Sequence, residues 1–278
     1  MTMNIEKALR SASRTLEIAS DSARLDAELL LMIVLDAPRS FLFAHPDKDL
    51  TTGELTRFTQ LVERRAGQEP VAYLTGKKEF WSLSLKVTPA TLVPRPETEL
   101  LVAEALNEIP QDARMSILDL GTGSGAIAIA IASERPGCQV VATDISAAAL
   151  AIAEENAKRH QLANITFVQG IWLEAVPEQK FAFIVSNPPY IANSDKALKK
   201  LQHEPRDALA SGEDGLDAIR LIAADAGNHL AEGGALLIEH GANQELAVAD
   251  ILKKLGWQDI RCLPDLGGLP RMTRASQD

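Results

Sequence analysis

Cysteine is scarce: Cys138 and Cys262 are the only two in 278 residues. They cannot build a disulfide framework and have no C-x-x-C spacing, so a reducing compartment is expected. Long apolar runs are missing too. The longest stretches without a charged side chain, 120–133 and 181–194, reach 14 residues each and contain Gly or Pro, which excludes a membrane-spanning helix. The first 20 residues carry Glu6, Lys7, Arg10, Arg14 and Glu17 and no apolar stretch, so no signal peptide is expected. There is no surplus of positive charge either. With 28 basic and 38 acidic side chains the formal charge is −10, which argues against a broad nucleic-acid-binding surface while leaving room for a local one. His45, His160, His203, His229 and His240 show no metal-like spacing with each other or with the cysteines, and no metal site is expected. Neither a G-x-x-x-x-G-K-[ST] phosphate loop nor a G-x-S-x-G elbow occurs; Ser124 has Thr122 and Ala126 where the elbow needs glycine. No internal repeat or low-complexity segment is visible.

What is present reads as a soluble globular protein of one large domain or two: apolar residues make up 46% and charged residues 24%. Residues 1–75 carry helical patterns. Ile5, Ala8, Leu9, Ala12 and Leu16 recur at helical spacing, as do Leu25, Leu29, Met32 and Ile33. Leu55, Phe58, Leu61 and Val62 follow Thr51 and Glu54, which are spaced as a capping box. After Gly76 the texture changes. Alternation over Phe80–Val87 predicts a half-buried strand in a short hairpin, and 76–95 is expected to link two domains. Pro96 stands near the first turn of a helix running to about Asn107.

From Met115 onward short apolar runs alternate with helical patterns. Strands are expected at Ser116–Leu120, Gln139–Thr143, Ile165–Gln169, Phe181–Ser186, Ala235–Glu239 and Gln258–Leu263. Amphipathic stretches at Ala147–His160, Leu216–Leu230 and Gln244–Leu255 lie between them. Such alternation predicts an α/β fold for 96–278, a doubly wound, mostly parallel sheet covered on both faces, beside a small helical domain.

Two loops carry chemistry. The first, Gly121-Thr122-Gly123-Ser124-Gly125, lies where a strand ends and a helix begins. Glycines allow a tight turn and close approach of a ligand, and the helix start is expected to offer free N–H groups. Asp144, ending the next strand, is placed to accept hydrogen bonds from both hydroxyls of a ribose. The pair suits an adenosine-containing cofactor. Gly121, Gly123 and Ala126 also satisfy the loose dinucleotide pattern, so an NAD oxidoreductase stays open at this point.

The second loop is Asn187-Pro188-Pro189-Tyr190, directly after an apolar strand. The prolines stiffen the backbone and lack N–H groups, leaving the Asn187 side-chain oxygen and the Pro188 carbonyl as rigid acceptors beside the Tyr190 ring. That set suits a planar –NH2 group. An amide or exocyclic amine is a poor nucleophile because its lone pair is delocalised. Two acceptors on its N–H bonds orient the nitrogen and stabilise positive charge as it attacks an electrophile. A sulfonium electrophile needs no strong base, since neutral thioether leaves readily.

Together the glycine loop, Asp144 and Asn187–Tyr190 resemble class I S-adenosylmethionine-dependent methyltransferases that modify planar amino groups. The whole chain more narrowly resembles the HemK/PrmC family of release factor glutamine methyltransferases. The likeness includes 69–76 (EPVAYLTG), Glu79-Phe80-Trp81, 94–99 (PRPETE), 203–209 (HEPRDAL) and 212–216 (GEDGL). It implies transfer of a methyl group from S-adenosyl-L-methionine, giving S-adenosyl-L-homocysteine, to the glutamine amide of the Gly-Gly-Gln tip of class I peptide chain release factors. Gly121, Thr122, Gly123, Ser124, Gly125, Asp144, Trp172 and Asn187 are implied cofactor contacts. Asn187, Pro188 and Tyr190 are implied catalytic groups, with Pro189 also framing the glutamine. The helical domain is implied to hold the protein substrate, and a cytoplasmic monomer without direct DNA or membrane binding is expected.

Other residues allow plainer readings. Trp172 could be core rather than an adenine contact. Glu97 and Glu99 in a first helical turn complement its dipole. Lys196, Lys199, Lys200 and Arg206 read as a solvated face more readily than as steering charges. Competing functions are an adenine-amino methyltransferase on DNA or RNA, the NAD oxidoreductase, which leaves Asn187–Tyr190 unexplained, and a silent scaffold. Charge weighs against the nucleic-acid enzyme. Residues 1–75 hold nine basic and eleven acidic groups, and the remainder 19 and 27, a net of −8.

Overall fold

The computed structural model describes residues 3–277. Met1, Thr2 and Asp278, at the outer ends of the two expected domains, lie outside the described residues. The chain divides into two compact units, one ending at Lys77 and the other starting at Lys78. Among the described residues no helix is long and apolar enough to cross a membrane.

The first unit consists of α1 (Ile5–Leu16), α2 (Ala23–Leu35), α3 (Arg39–Ala44), α4 (Thr52–Ala66) and α5 (Val71–Thr75). The α1 stripe Ile5, Ala8, Leu9, Ala12, Leu16 is buried as its spacing predicts. The capping box of α4 forms in both directions, between Thr51 and Glu54. The buried face of α2 differs from the expected one. Ala27, Leu30, Leu31 and Val34 face the core, while Leu25 is exposed and Leu29, Met32 and Ile33 are half-buried. The run LLLMIVL is apolar all round, so periodicity cannot choose its inner face. Ion pairs help to choose it: buried Asp26 meets Arg65 at 2.7 Å, and buried Glu28 meets Arg24 at 2.8 Å and Arg39 at 2.7 Å.

The second unit opens with a hairpin, β1 (Lys77–Phe80) and β2 (Leu83–Lys86), whose first residue stands at the boundary. One strand over Phe80–Val87 was expected. The chain instead reverses at Trp81-Ser82, both with positive φ (51° and 59°), as a two-residue hairpin turn requires. Phe80 and Leu85 are buried in the apolar core of this unit. A 3-10 turn, Pro96–Thr98, leads into α6 (Glu99–Glu108). There follow β3 (Ser116–Leu120), α7 (Ala126–Glu134), β4 (Gln139–Asp144), α8 (Ala147–Arg159), β5 (Ile165–Gln169) and β6 (Phe181–Ser186). The chain closes with α9 (Ala197–Lys200), α10 (Asp217–Ala226), β7 (Leu230–Glu239), α11 (Glu245–Lys254), β8 (Gln258–Pro264) and β9 (Pro270–Ser276).

These strands form a seven-stranded sheet in the order β5-β4-β3-β6-β7-β9-β8. The first five are parallel and β9 runs antiparallel to both its neighbours. Period-two alternation sorts the strand side chains between two cores. Ile117, Val140, Val185 and Leu237 pack with α6 and α7 on one face; Leu118, Leu120, Ile184 and Ile238 pack with α10 and α11 on the other. The six expected strands are all present. Strand β9 was not anticipated, because Arg271 and Arg274 interrupt its apolar pattern; both are neutralised, by Asp265 and by Glu108 with Asp259.

One buried side chain ties the hairpin to the glycine loop. Asn156 of α8, fully buried, accepts from the Lys86 N–H at 2.7 Å and donates to the carbonyls of Lys86 and Ser124, both at 2.9 Å. Asn156→Ala should therefore orphan three backbone groups and cost about 2–3 kcal/mol, read as a lower urea midpoint for unfolding of the second unit.

Candidate active site

Strand register assembles the site. Leu120 of β3 pairs with Thr143 of β4 on one side and Ser186 of β6 on the other, and Ser186 pairs with Ile238 of β7. The next residue along each strand therefore stands level with its neighbours: Asp144, Gly121, Asn187 and Glu239 in one row at the C-terminal edge. The row straddles β3 and β6, where the connections diverge to opposite sides of the sheet, the position at which open α/β sheets bind ligands. The Ser186 hydroxyl, buried, donates to the Leu120 carbonyl at 2.9 Å and fixes the two strand ends together.

The glycine loop turns through three left-handed glycines, Gly121 (φ 72°), Gly123 (φ 58°) and Gly125 (φ 85°). Its amides are not free as expected. Gly121 and Thr122 both donate to the Thr143 carbonyl at 2.9 Å, and Gly123 donates to Asp144 Oδ2 at 2.9 Å. The start of α7 is also claimed. Asp119, fully buried, accepts from Thr122 Oγ1 at 2.6 Å and from the Ala128 N–H at 3.1 Å. Burial pushes the Asp119 carboxyl up to about 7 against those hydrogen bonds, and Asp144 pushes it further. Its Oδ1 has no partner among the described residues. Part of the start of α7 is thus satisfied from within the fold.

Asp144 keeps capacity for a ligand. Its Oδ2 accepts from the Gly123 N–H and its Oδ1 from the Ser146 N–H, both at 2.9 Å, and the Ile145 N–H also bears on the carboxylate, so part of its acceptor capacity remains for a ligand. Burial raises its pKa while the amides oppose that. Beside it, Ile145 and Ile171 are large apolar side chains left 61% and 47% exposed. Trp172 adopts a positive φ (45°), rare for a bulky residue. Its ring is half-buried on the Leu118/Leu120 core, and a Cβ added at Gly121 would sit 3.3 Å from its Cζ3. Glycine at 121 thus leaves the ring and the loop in close apposition.

On the other side of the switch point, Asn187 donates through Nδ2 to Thr98 Oγ1 at 2.9 Å, which leaves Oδ1 as its acceptor. Pro188 is buried; Pro189 and Tyr190 are half-buried. The Tyr190 phenol donates to Glu239 Oε1 at 3.4 Å, and burial with the Glu239 charge pushes its pKa up to about 12. Behind the loop, a bridge pairs Ile191 with Ala210, and Asn193 donates to the Gly212 carbonyl at 2.8 Å. Gly215 (φ 81°) lies so close to the Tyr190 carbonyl that a Cβ there would collide with it. Glu204, buried, accepts from the Val93 N–H at 3.0 Å and pairs with Arg95. Stretches 203–209 and 212–216 therefore brace the loop.

Residues 7–76 match the PrmC N-terminal domain model and 97–216 the methyltransferase small domain model. The chain is 48% identical over 270 residues to a release factor glutamine methyltransferase of Coxiella burnetii, covering 97% of this chain and 98% of that one. The chain belongs to the release factor glutamine methyltransferase family. The Escherichia coli release factor glutamine methyltransferase is 43% identical, with 98% of each chain covered. The fold itself recurs in a methyltransferase from Pyrococcus furiosus (TM-score 0.53, 20% identity, 69% of this chain and 88% of that one). It recurs also in the T. thermophilus 16S rRNA N2 G1207 methyltransferase (TM-score 0.56, 17% identity, 73% and 50%).

Within this family member, several groups at the site escaped sequence reasoning: Thr98, Asp119, Ile145, Ile171 and Glu239. A signal existed for two. Asp119 is the one acid in β3, and Glu239 ends an apolar run of β7 as Asp144 ends β4. Glu97 is exposed, whereas Glu99 accepts from the Trp81 N–H at 2.9 Å and anchors the hairpin. Lys196, Lys199, Lys200 and Arg206 are exposed.

The raised Asp119 pKa has a stability consequence. A folded-state value near 7 against an ordinary carboxyl near 4 means that its contribution is present at low pH and is lost as pH rises through about 7. Asp119→Asn removes that loss, so its urea midpoint relative to wild type should climb between pH 5 and 8. A constant difference across that range would contradict a buried, titrating Asp119.

Proposed function

We propose that this enzyme transfers a methyl group from S-adenosyl-L-methionine to the side-chain amide nitrogen of the glutamine in the Gly-Gly-Gln motif of class I peptide chain release factors. The observation that carries the reading is the orientation of Asn187. Its Nδ2 is spent on Thr98, so Oδ1 is available, with the Pro188 carbonyl, to accept the two N–H bonds of an incoming carboxamide.

The donor set at the glycine loop fits the cofactor. S-adenosyl-L-methionine is cationic at sulfur and carries no phosphate, and its sulfonium supplies an activated methyl group whose departure leaves neutral S-adenosyl-L-homocysteine. Asp144 would accept both ribose hydroxyls, and Trp172 with exposed Ile145 and Ile171 would flank the adenine. Gly121–Gly125 would line the path with backbone, since Thr122 and Ser124 bury their side chains. The oxidoreductase alternative leaves Asn187–Tyr190 without a role.

At the acceptor side, Asn187 Oδ1 and the Pro188 carbonyl would turn the amide lone pair toward the methyl carbon and stabilise the charge that grows on nitrogen. The nitrogen then releases one proton to solvent water, while the sulfur leaves as neutral thioether. Pro189 and Tyr190 would wall the amide, with the phenol held protonated by its high pKa. The helical unit would hold the release factor; a groove on it lined by Ile33, Arg57, Leu61 and Leu74 is a candidate surface. The reading goes with a cytoplasmic monomer that has no direct DNA or membrane contact.

Incubation with methyl-labelled cofactor and a purified release factor or duplex DNA tests the assignment. Label on a release-factor glutamine is expected, and label on adenine in its place would overturn it. Asn187→Ala should lower kcat by at least about 100-fold while cofactor affinity stays within a few-fold in calorimetry. Asp144→Ala should do the converse at the binding step, weakening the cofactor by roughly 10- to 100-fold.

A further inference from the structure

Glu239 is 1% exposed, faces the substrate loop and has no part in the reaction as described above. Its Oε1 takes the Tyr190 phenol, and its Oε2 is buried with no close partner among the described residues. The hydroxyl of Thr98, itself 4% exposed, bears on the same carboxyl. That hydroxyl has one proton. If the proton points to Glu239, Thr98 can only accept from Asn187, and the Asn187 amide is forced to present Oδ1 to the substrate. If the proton is free, Thr98 can donate to Oδ1. The amide then flips, and Nδ2 opposes the N–H bonds of the target glutamine.

We propose that Thr98 and Glu239 are positioning residues that set the polarity of Asn187, the Glu239 carboxylate holding the Thr98 proton so that Asn187 offers an acceptor to the glutamine amide. This rests on the glutamine-methylation reading. Protonation of Glu239 reverses the chain, because the carboxyl then donates and Thr98 is released. Burial pushes Glu239 up to about 7, opposed by Thr98, Arg271 and Tyr190 and assisted by Glu97. Arg95 acts on Tyr190, and neighbouring His240 has a lowered pKa that keeps it neutral. Polarity should thus be correct above pH 7 and fail below it.

The test has two arms. In methylation assays on a release factor, Thr98→Val should lower kcat/KM by about 10- to 100-fold, with cofactor affinity within twofold, and Thr98→Ser should restore it. Wild-type kcat/KM should rise with pH through about 7, and Glu239→Gln, which keeps an acceptor oxygen without titrating, should lose that limb. The second arm needs no substrate. The Asn187 side-chain NH2 resonances, assigned by their absence in Asn187→Asp, should titrate near pH 7 in wild type and stay fixed in Glu239→Gln. Wild-type kinetics in Thr98→Val, or an Asn187 signal indifferent to pH and to both substitutions, would overturn the proposal. Failure of the wild type to label any release factor would instead sink the glutamine reading, and the resonance arm would still decide the Thr98–Glu239 pairing.

Discussion

The parallel pairing of β3 with β6 is the constraint on which the site depends. Its register, Leu120 opposite Ser186, decides that the glycine turn and the Asn-Pro-Pro-Tyr turn leave the sheet at the same height. A slip of one residue would invert every side chain of β6 between the two cores, moving Ile184 from the α10/α11 face to the α6/α7 face. Burial on both faces therefore enforces the register far more strongly than any contact between the loops. The Ser186–Leu120 hydrogen bond adds a lock at the strand ends, where fraying would separate the glycine turn from the Asn-Pro-Pro-Tyr turn.

The same edge collects carboxyls that the fold would be more stable without. Asp119, Asp144 and Glu239 all have pKa values raised by burial, and two retain an oxygen with no close partner among the described residues. Such groups are costly unless a ligand or a relay uses them. Their placement is graded. Asp119 is inward and closes the start of α7, Asp144 is partly open, and Glu239 lies behind the Asn-Pro-Pro-Tyr loop. An edge so lined concentrates acidic groups in one row, a sharper statement than the net charge of −10 could make.

Much of this was legible in the sequence because local pattern and tertiary demand agree. Strands β3, β5 and β6 begin and end where their apolar runs do, and the loop residues follow them directly. Legibility failed where a tertiary partner overrides the local signal. The Lys-Lys-Glu-Phe segment of β1 has no strand character and forms through its turn. Strand β9 carries two arginines that are tolerable only because carboxylates elsewhere in the chain neutralise them. The buried face of α2 was misjudged because a uniformly apolar helix has no moment to read, and its acids decide the matter. At the site, the residues singled out from sequence stand in short motifs. Those that orient them, Thr98 and Glu239, are 141 positions apart and meet only through sheet topology.

Strand β9 then has a role beyond completing the sheet. By inserting antiparallel between β7 and β8 it sets Met272 opposite Glu239 and brings Arg271 to the level of His240. The Arg271 charge opposes the burial of Glu239, and its buried Nε has no partner among the described residues. A guanidinium fully paired with Glu239 would pull the carboxyl well below neutrality and remove its sensitivity near pH 7. Arg271 instead spends its contact on Asp265, at 3.3 Å in the turn before β9. The charge is near enough to moderate the burial of Glu239 and committed elsewhere, so the carboxyl stays poised and the hydroxyls of Thr98 and Tyr190 remain its principal partners.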